Sequence, residues 1–352
     1  MRPLCLVAAL AISTVLGMAQ TGPYKVLKTA KVGGDGGFDY VYADSDGRRL
    51  YIARSGPMGR LTVFNLDTLE PAGEIADVSA HGAAVSTKTG HGFATSKPVA
   101  MFDSKTETLI KKIEVQGGPD GMLYDSFNDR IWILSHSQPN ATVINAADGT
   151  IAGTLDLGGA PEQGQSDGKG HLYIDIEDKD NVAVVDAKTL TVTGHYDLAG
   201  KGGQCAGLGL DIKNGILFAA CRNPQNMVIL SAKDGKILET LPIGRGTDGA
   251  GFNAGTMEAF SSQGDGTLTI IKENSPTSFA VEQTVETMNG AKTMTIDSKT
   301  GHVLLIAAEY GPPPAAPATP APAPGGAPGG GRGRGPRAPM IPGSFSIIVV
   351  GK

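Results

Sequence analysis

Apolar and polar positions alternate in short stretches along this chain, and the stretches return about every 38 to 45 residues, the signature of a repeated β unit. Each unit opens with a Gly-rich turn and an inner strand that leads into an Asp-centred hairpin. An apolar second strand follows, then a third of the form apolar-apolar-Asn/Asp-x-x-Thr/Gly. The hairpins read YADSDGRRLYIA from Tyr42, YDSFNDRIWILS from Tyr124, QSDGKGHLYIDI from Gln165, LDIKNGILFAAC from Leu210 and IDSKTGHVLLIA from Ile296. Weaker copies lie around Thr87 and Asn253. Third strands are predicted at LTVFNLDT from Leu61, VAMFDSKT from Val99, ATVINAADG from Ala141, VAVVDAKTL from Val182, MVILSAKDG from Met227 and LTIIKENS from Leu268. The seventh, FSIIVVGK, ends the chain.

A fourth strand closes most units, as in PAGEIADV from Pro71 and IAGTLDLGG from Ile151. The seventh unit has no such strand after it. The segment YKVLKTAKVGG, residues 24–34, has the ending of the other outer strands and is predicted to complete that unit, joining both chain ends and removing an exposed edge. The expected fold is therefore all-β: one seven-bladed β-propeller of four-stranded blades, closed by an N-terminal strand. Without a leader and one insert, about 43 residues remain per unit, a normal blade length. An open array of hairpins would leave terminal edges and an apolar face unprotected.

Two segments stand outside the repeats. Residues 1–19 combine Met1-Arg2, an apolar run from Leu4 to Leu16 and small residues at Gly17 and Ala19, the pattern of a signal peptide cleaved after Ala19. The run is too short to span a bilayer and no second one follows. Residues 311–343, rich in Pro, Gly and Ala with a Gly-Arg repeat, interrupt the seventh unit between its second and third strands and read as a disordered spacer. The expected domains are thus a leader, 1–19, and a propeller, 20–352, in a periplasmic or secreted monomer.

The hairpins, the LYI strand, the VVDAKT strand and the VGG-like closing turn together resemble the bacterial exported propellers called YncE-like or YVTN-repeat proteins. That resemblance covers the mature chain apart from the insert. It implies a seven-bladed propeller outside the cytoplasm and implies no particular reaction. With one Trp in the chain, the Trp-Asp dipeptides of WD-repeat proteins and the repeated Trp of quinoprotein dehydrogenases are missing. A lactonase-like propeller enzyme stays open, although its catalytic residues have no match here.

A net charge of −5 removes the electrostatic basis for nucleic-acid binding, and 5% aromatic residues provide few stacking platforms. Nucleophile-elbow, His-Glu-x-x-His and phosphate-loop motifs do not occur. Candidate chemistry lies instead at one repeat phase. Five positions before each hairpin Asp or its equivalent stand Asp39, Gly82, Asp120, Glu162, Ala206, Asp248 and Lys292, which should ring one mouth of the central channel. His81 and Gln204 sit one and two residues before their ring positions and are expected to face the same opening.

Converging carboxylates repel, so Asp39, Asp120, Glu162 and Asp248 are candidate ligands for Ca²⁺ or another divalent cation. The plainer readings are a water-filled acidic mouth, carboxylates bonded to neighbouring amides, or Lys292 acting as counter-ion. Cys205 and Cys221 fall opposite each other if Leu210 pairs with Ile216, and an exported protein would join them as a disulfide. Two functions follow: a non-catalytic propeller presenting loops and a channel mouth to a protein, peptide or small ligand, or a metal-dependent, lactonase-like hydrolase using the acidic channel.

Overall fold

The computed structural model describes residues 22–56, 59–312 and 338–352; the expected leader and residues 313–337 of the insert lie outside them. The described residues form seven four-stranded antiparallel sheets, each ordered along the chain from the inside outward except the last. That blade is built from Met294–Ile296, Val303–Ala307, Ser346–Gly351 and, as its outermost strand, Lys25–Lys31. The expected seven-bladed propeller and its N-terminal closure are both present.

Closure is fastened at several points. Lys25–Lys31 pairs with Ser346–Gly351 in antiparallel register from Lys25↔Gly351 to Lys31↔Ser346. Just before the strand, the Tyr24 amide donates to Gln283 Oε1 (3.0 Å), and Gln283 Nε2 donates to the Tyr24 carbonyl (2.7 Å). The Tyr24 hydroxyl and Lys352 Nζ both bond Glu258, so one buried carboxylate in blade six takes a group from each end of the chain.

Alternation within a strand explains how the blades stack. Residues such as Leu50 and Ile52 face one neighbouring blade while Tyr51 and Ala53 face the other, so the second and third strands are apolar on both sides. The result is seven apolar clusters, each in the gap between two adjacent blades. Packing is thus distributed around the ring, in the gaps between blades.

The recurring hairpin Asp has a local duty. Asp44, Asp125, Asp211 and Asp297 are buried, and each accepts an amide proton from two or three residues onward, at Gly47, Phe127, Lys213 and Lys299. These residues hold turns and do not reach the channel mouth.

The cysteines are joined as a disulfide, Cys205–Cys221. The register that produces this pair differs from the expected one. Leu210 pairs with Leu217 and Asp211 with Ile216; a β-bulge between Cys205 and Gly207 then moves the pairing by one residue and sets the cysteines opposite each other. No helix among the described residues is long and apolar enough to cross a membrane.

Candidate functional site

The innermost strands run along the axis, and five of them carry a bulge at the phase singled out from sequence. Pairing shifts between Phe38 and Val41, Pro119 and Met122, Pro161 and Gly164, Cys205 and Gly207, and Thr247 and Gly249. Asp39, Asp120, Glu162 and Asp248 fall inside four of these irregularities, where an unpaired residue is free to turn its side chain away from the pleat. All four line one cavity of about 460 Å³ at the channel mouth, together with Tyr40, His81, His136, Arg222 and Lys292.

Three expected positions differ, and the first, Gly82, lines the cavity further down the axis and not the mouth. Gln204 does not line the mouth: its backbone is left-handed (φ 51°), its side chain is exposed, and its amide is spent on Asp180 Oδ1 (3.0 Å). Ala206 occupies the fifth bulge but is fully buried.

Four residues at or beside the mouth were given no role from the sequence. His136 and Arg222 directly follow the second strands of blades three and five, and Glu177 holds the same place in blade four. Their preceding residues Ser135, Ile176 and Cys221 pair with Pro119, Pro161 and Cys205 at the strand ends. The residues at this place in the other blades, Gly56, Thr95, Gly264 and Ala308, share no chemistry with them. Tyr40, the fourth, occupies the bulge beside Asp39.

An arc of alternating carboxylates and imidazoles crosses blades one to four. His81 Nδ1 lies 2.9 Å from Asp39 Oδ2 and 3.3 Å from Asp120 Oδ1. His136 Nε2 lies 3.3 Å from both Asp120 Oδ2 and Glu162 Oε1. Opposite, Arg222 bridges Glu177 and Asp248, and Lys292 bonds the second oxygen of Asp248. Asp248, expected among the metal ligands, is therefore held by two cations. The donor groups that converge are Asp39, His81 and Asp120, and Asp120, His136 and Glu162, with the ligand atoms of each set within 4.8 Å of one another.

Tyr40 forms the floor. Its hydroxyl crosses the channel to donate to Glu162 Oε2 (3.1 Å), and it also lines a second cavity of about 410 Å³ further down the axis. Gln163 there bonds the amides of Leu208 and Ala250 and the Ala250 carbonyl, tying blades four, five and six together. Blade five can come this close only because residue 207 is Gly: a Cβ would stand 2.6 Å from the Ala250 nitrogen.

Charge and burial set the protonation of the arc. Burial, followed by the nearby Asp39 charge, raises the Asp120 carboxyl to about 6. The hydrogen bond to Glu162 pushes the His136 imidazole up to about 9 against burial, and the bond to Asp39 raises His81. For Glu162, burial acts upward, but hydrogen bonds from His136 and Glu177 hold it below the usual carboxylate range. Glu177 is raised, by burial and by that shared bond. Burial also raises Asp248, opposed by Lys292 and Arg222. Tyr40 is held neutral by burial and by the surrounding carboxylates.

No family model and no curated protein matches the chain. Solved structures do match. The crystal structure of the RRP9 WD40 repeats is similar at TM-score 0.67 and 10% identity, covering 82% of this chain and 91% of that one. The structure of U3-55K gives 0.69 and 10%, covering 94% and 99%. A chain of the Mitotic Checkpoint Complex gives 0.69 and 12%, covering 87% and 95%. The likeness is one of fold. It reaches WD40 propellers although the Trp-Asp dipeptide is missing, because interblade packing needs apolar strands and not that particular signature.

Proposed function

We propose that this is an exported binding propeller, that its channel mouth is the binding site, and that the group it takes there is a cation: an organic ammonium or guanidinium, on a small molecule or a peptide, or a metal ion. The charge balance of the mouth carries this reading. Four carboxylates line it, and its two permanent cations, Arg222 and Lys292, are both engaged by Asp248. Asp39, Asp120 and Glu162 are left facing the cavity with two half-exposed imidazoles as their counter-groups. The protons that hold His81 and His136 raised among these carboxylates mark where positive charge is favoured, and a bound cation would take their place.

The leader pattern and the disulfide support a location outside the cytoplasm. Likeness to a propeller chain within the Mitotic Checkpoint Complex supports use as a scaffold. A metal-dependent hydrolase is the second reading, favoured by the placing of His81 and His136 among carboxylates, and is assayed by lactone and ester hydrolysis with and without divalent ions.

Isothermal titration with spermidine and with arginine amide tests the binding reading. Binding should weaken as salt rises, and the double substitution Asp120→Asn, Glu162→Gln should lower affinity at least tenfold. Equal affinity in wild type and double variant, or no binding of any cation, would sink it.

A further inference from the structure

We propose that the channel mouth is a two-metal site in which Asp120 bridges two divalent ions of the zinc or manganese class, one held with Asp39 and His81 and the other with His136 and Glu162. This deepens the reading of the mouth as a cation site but can fail separately from it.

The geometry around each imidazole carries the proposal. One ring nitrogen of His81 faces two carboxylate oxygens, from Asp39 at 2.9 Å and Asp120 at 3.3 Å. One ring nitrogen of His136 likewise faces Asp120 and Glu162, both at 3.3 Å. A single N–H points in one direction and cannot serve two acceptors well. The ligand atoms of each triad lie within 4.8 Å of one another, so a cation settling between them could draw on all three.

The separations suit such an ion. Ligands about 2.0 to 2.2 Å from a metal at tetrahedral or octahedral angles stand roughly 2.9 to 3.6 Å apart, the range of these nitrogen–oxygen distances. Asp120 divides its oxygens, Oδ1 toward His81 and Oδ2 toward His136, which is the arrangement of a bridging carboxylate.

Donor type narrows the ion. Imidazole nitrogen mixed with carboxylate oxygen suits zinc, manganese or iron, whereas Ca²⁺ prefers oxygen alone. Each triad supplies three protein donors and opens on the mouth cavity, leaving coordination positions for water or a ligand. The surroundings orient the donors. Tyr40 occupies Glu162 Oε2 and leaves Oε1 to face His136, while Thr293 Oγ1 donates to the Asp39 carbonyl (2.9 Å) and steadies that bulge. Asp248 stands outside both triads, with its oxygens taken by Arg222 and Lys292.

The test uses chelator-treated mature protein equilibrated separately with Zn²⁺, Mn²⁺ and Ca²⁺, with bound metal counted by mass spectrometry after gel filtration. Two Zn²⁺ or Mn²⁺ per chain are expected, and no retained Ca²⁺. His81→Gln and His136→Gln should each leave one ion, Asp120→Asn should weaken both sites at least tenfold, and His171→Gln, whose imidazole faces Asp167 outside the mouth, should keep both. Should a variant fail to fold, electron paramagnetic resonance of the wild type loaded with Mn²⁺ decides: a spin-coupled pair is expected, and an isolated six-line spectrum overturns the proposal. Stoichiometry of one or none also overturns it. Spermidine binding without metal binding would remove the metals and keep the cation site; binding of neither removes both.

Discussion

Two sets of acidic residues recur in this chain, five positions apart, and their neighbours decide what each does. The hairpin Asp accepts amide protons of its own turn, whereas its partner upstream sits in a bulge and has no local amide to satisfy it. Asp297 shows how strongly the hairpin set is held. Burial acts upward on it, but bonds from Arg48 and Thr300 bring its carboxyl down to about 2. The folded value lies below the unfolded one, so the stabilisation is present above about pH 4 and is lost as pH falls toward 2. Asp297→Asn should lower stability by about 2 kcal/mol at pH 6 and by much less near pH 2, measured by urea unfolding at both values. An equal loss at the two pH values would refute the ionic contribution. The ring of bulge acids was legible because it recurs at one phase. His136 and Arg222 were not, because side chains in loops after the second strands change identity from blade to blade and carry no hydropathic period.

At the scale of elements, alternation and turn residues located nearly every strand, including all seven third strands and the closing strand. They did not locate the bulges. A bulge changes pairing by one residue without altering the apolar pattern, so Leu210 was expected opposite Ile216 and is found opposite Leu217. The cysteines meet because the same irregularity that opens the fifth inner strand restores their alignment. The closing strand Lys25–Lys31 is largely exposed, so its contribution lies in its ladder and in the contacts of Tyr24. Removing residues 22–31 should lower the melting temperature by roughly 10 °C or more and expose the edge of Ser346–Gly351. Calorimetry and light scattering would show this as an earlier transition with self-association; an unchanged monomer would mean that the ring closes without the strand.

For the whole molecule, the number of blades and the strand that closes the ring followed from repeat counting, whereas the division of the mouth into a histidine–carboxylate arc and an Arg222–Asp248–Lys292 group did not. That division depends on which loops meet across the axis, and a linear repeat contains no such information. The insert interrupts blade seven between its second and third strands. Its flanks are joined by the Tyr310↔Met340 bridge, with Gly311 donating to the Pro339 carbonyl (2.9 Å) and Ile341 to that of Glu309 (2.8 Å). The chain leaves the sheet and returns to it at one place, so replacing residues 313–337 with a short Gly-rich link should shift the melting temperature by only a degree or two. A large loss in differential scanning calorimetry would show that those residues pack on the propeller.

The joining of first and last strands in one blade also fixes an order in time. A chain synthesised from its N-terminus holds Lys25–Lys31 without a partner until Ser346–Gly351 has been made, more than three hundred residues later. Blades one to six can form in succession as their strands emerge, but the circle waits for its final segment. Every prematurely ended product is thereby left an open arc with an unpaired edge, distinguishable by its shape alone from a finished molecule.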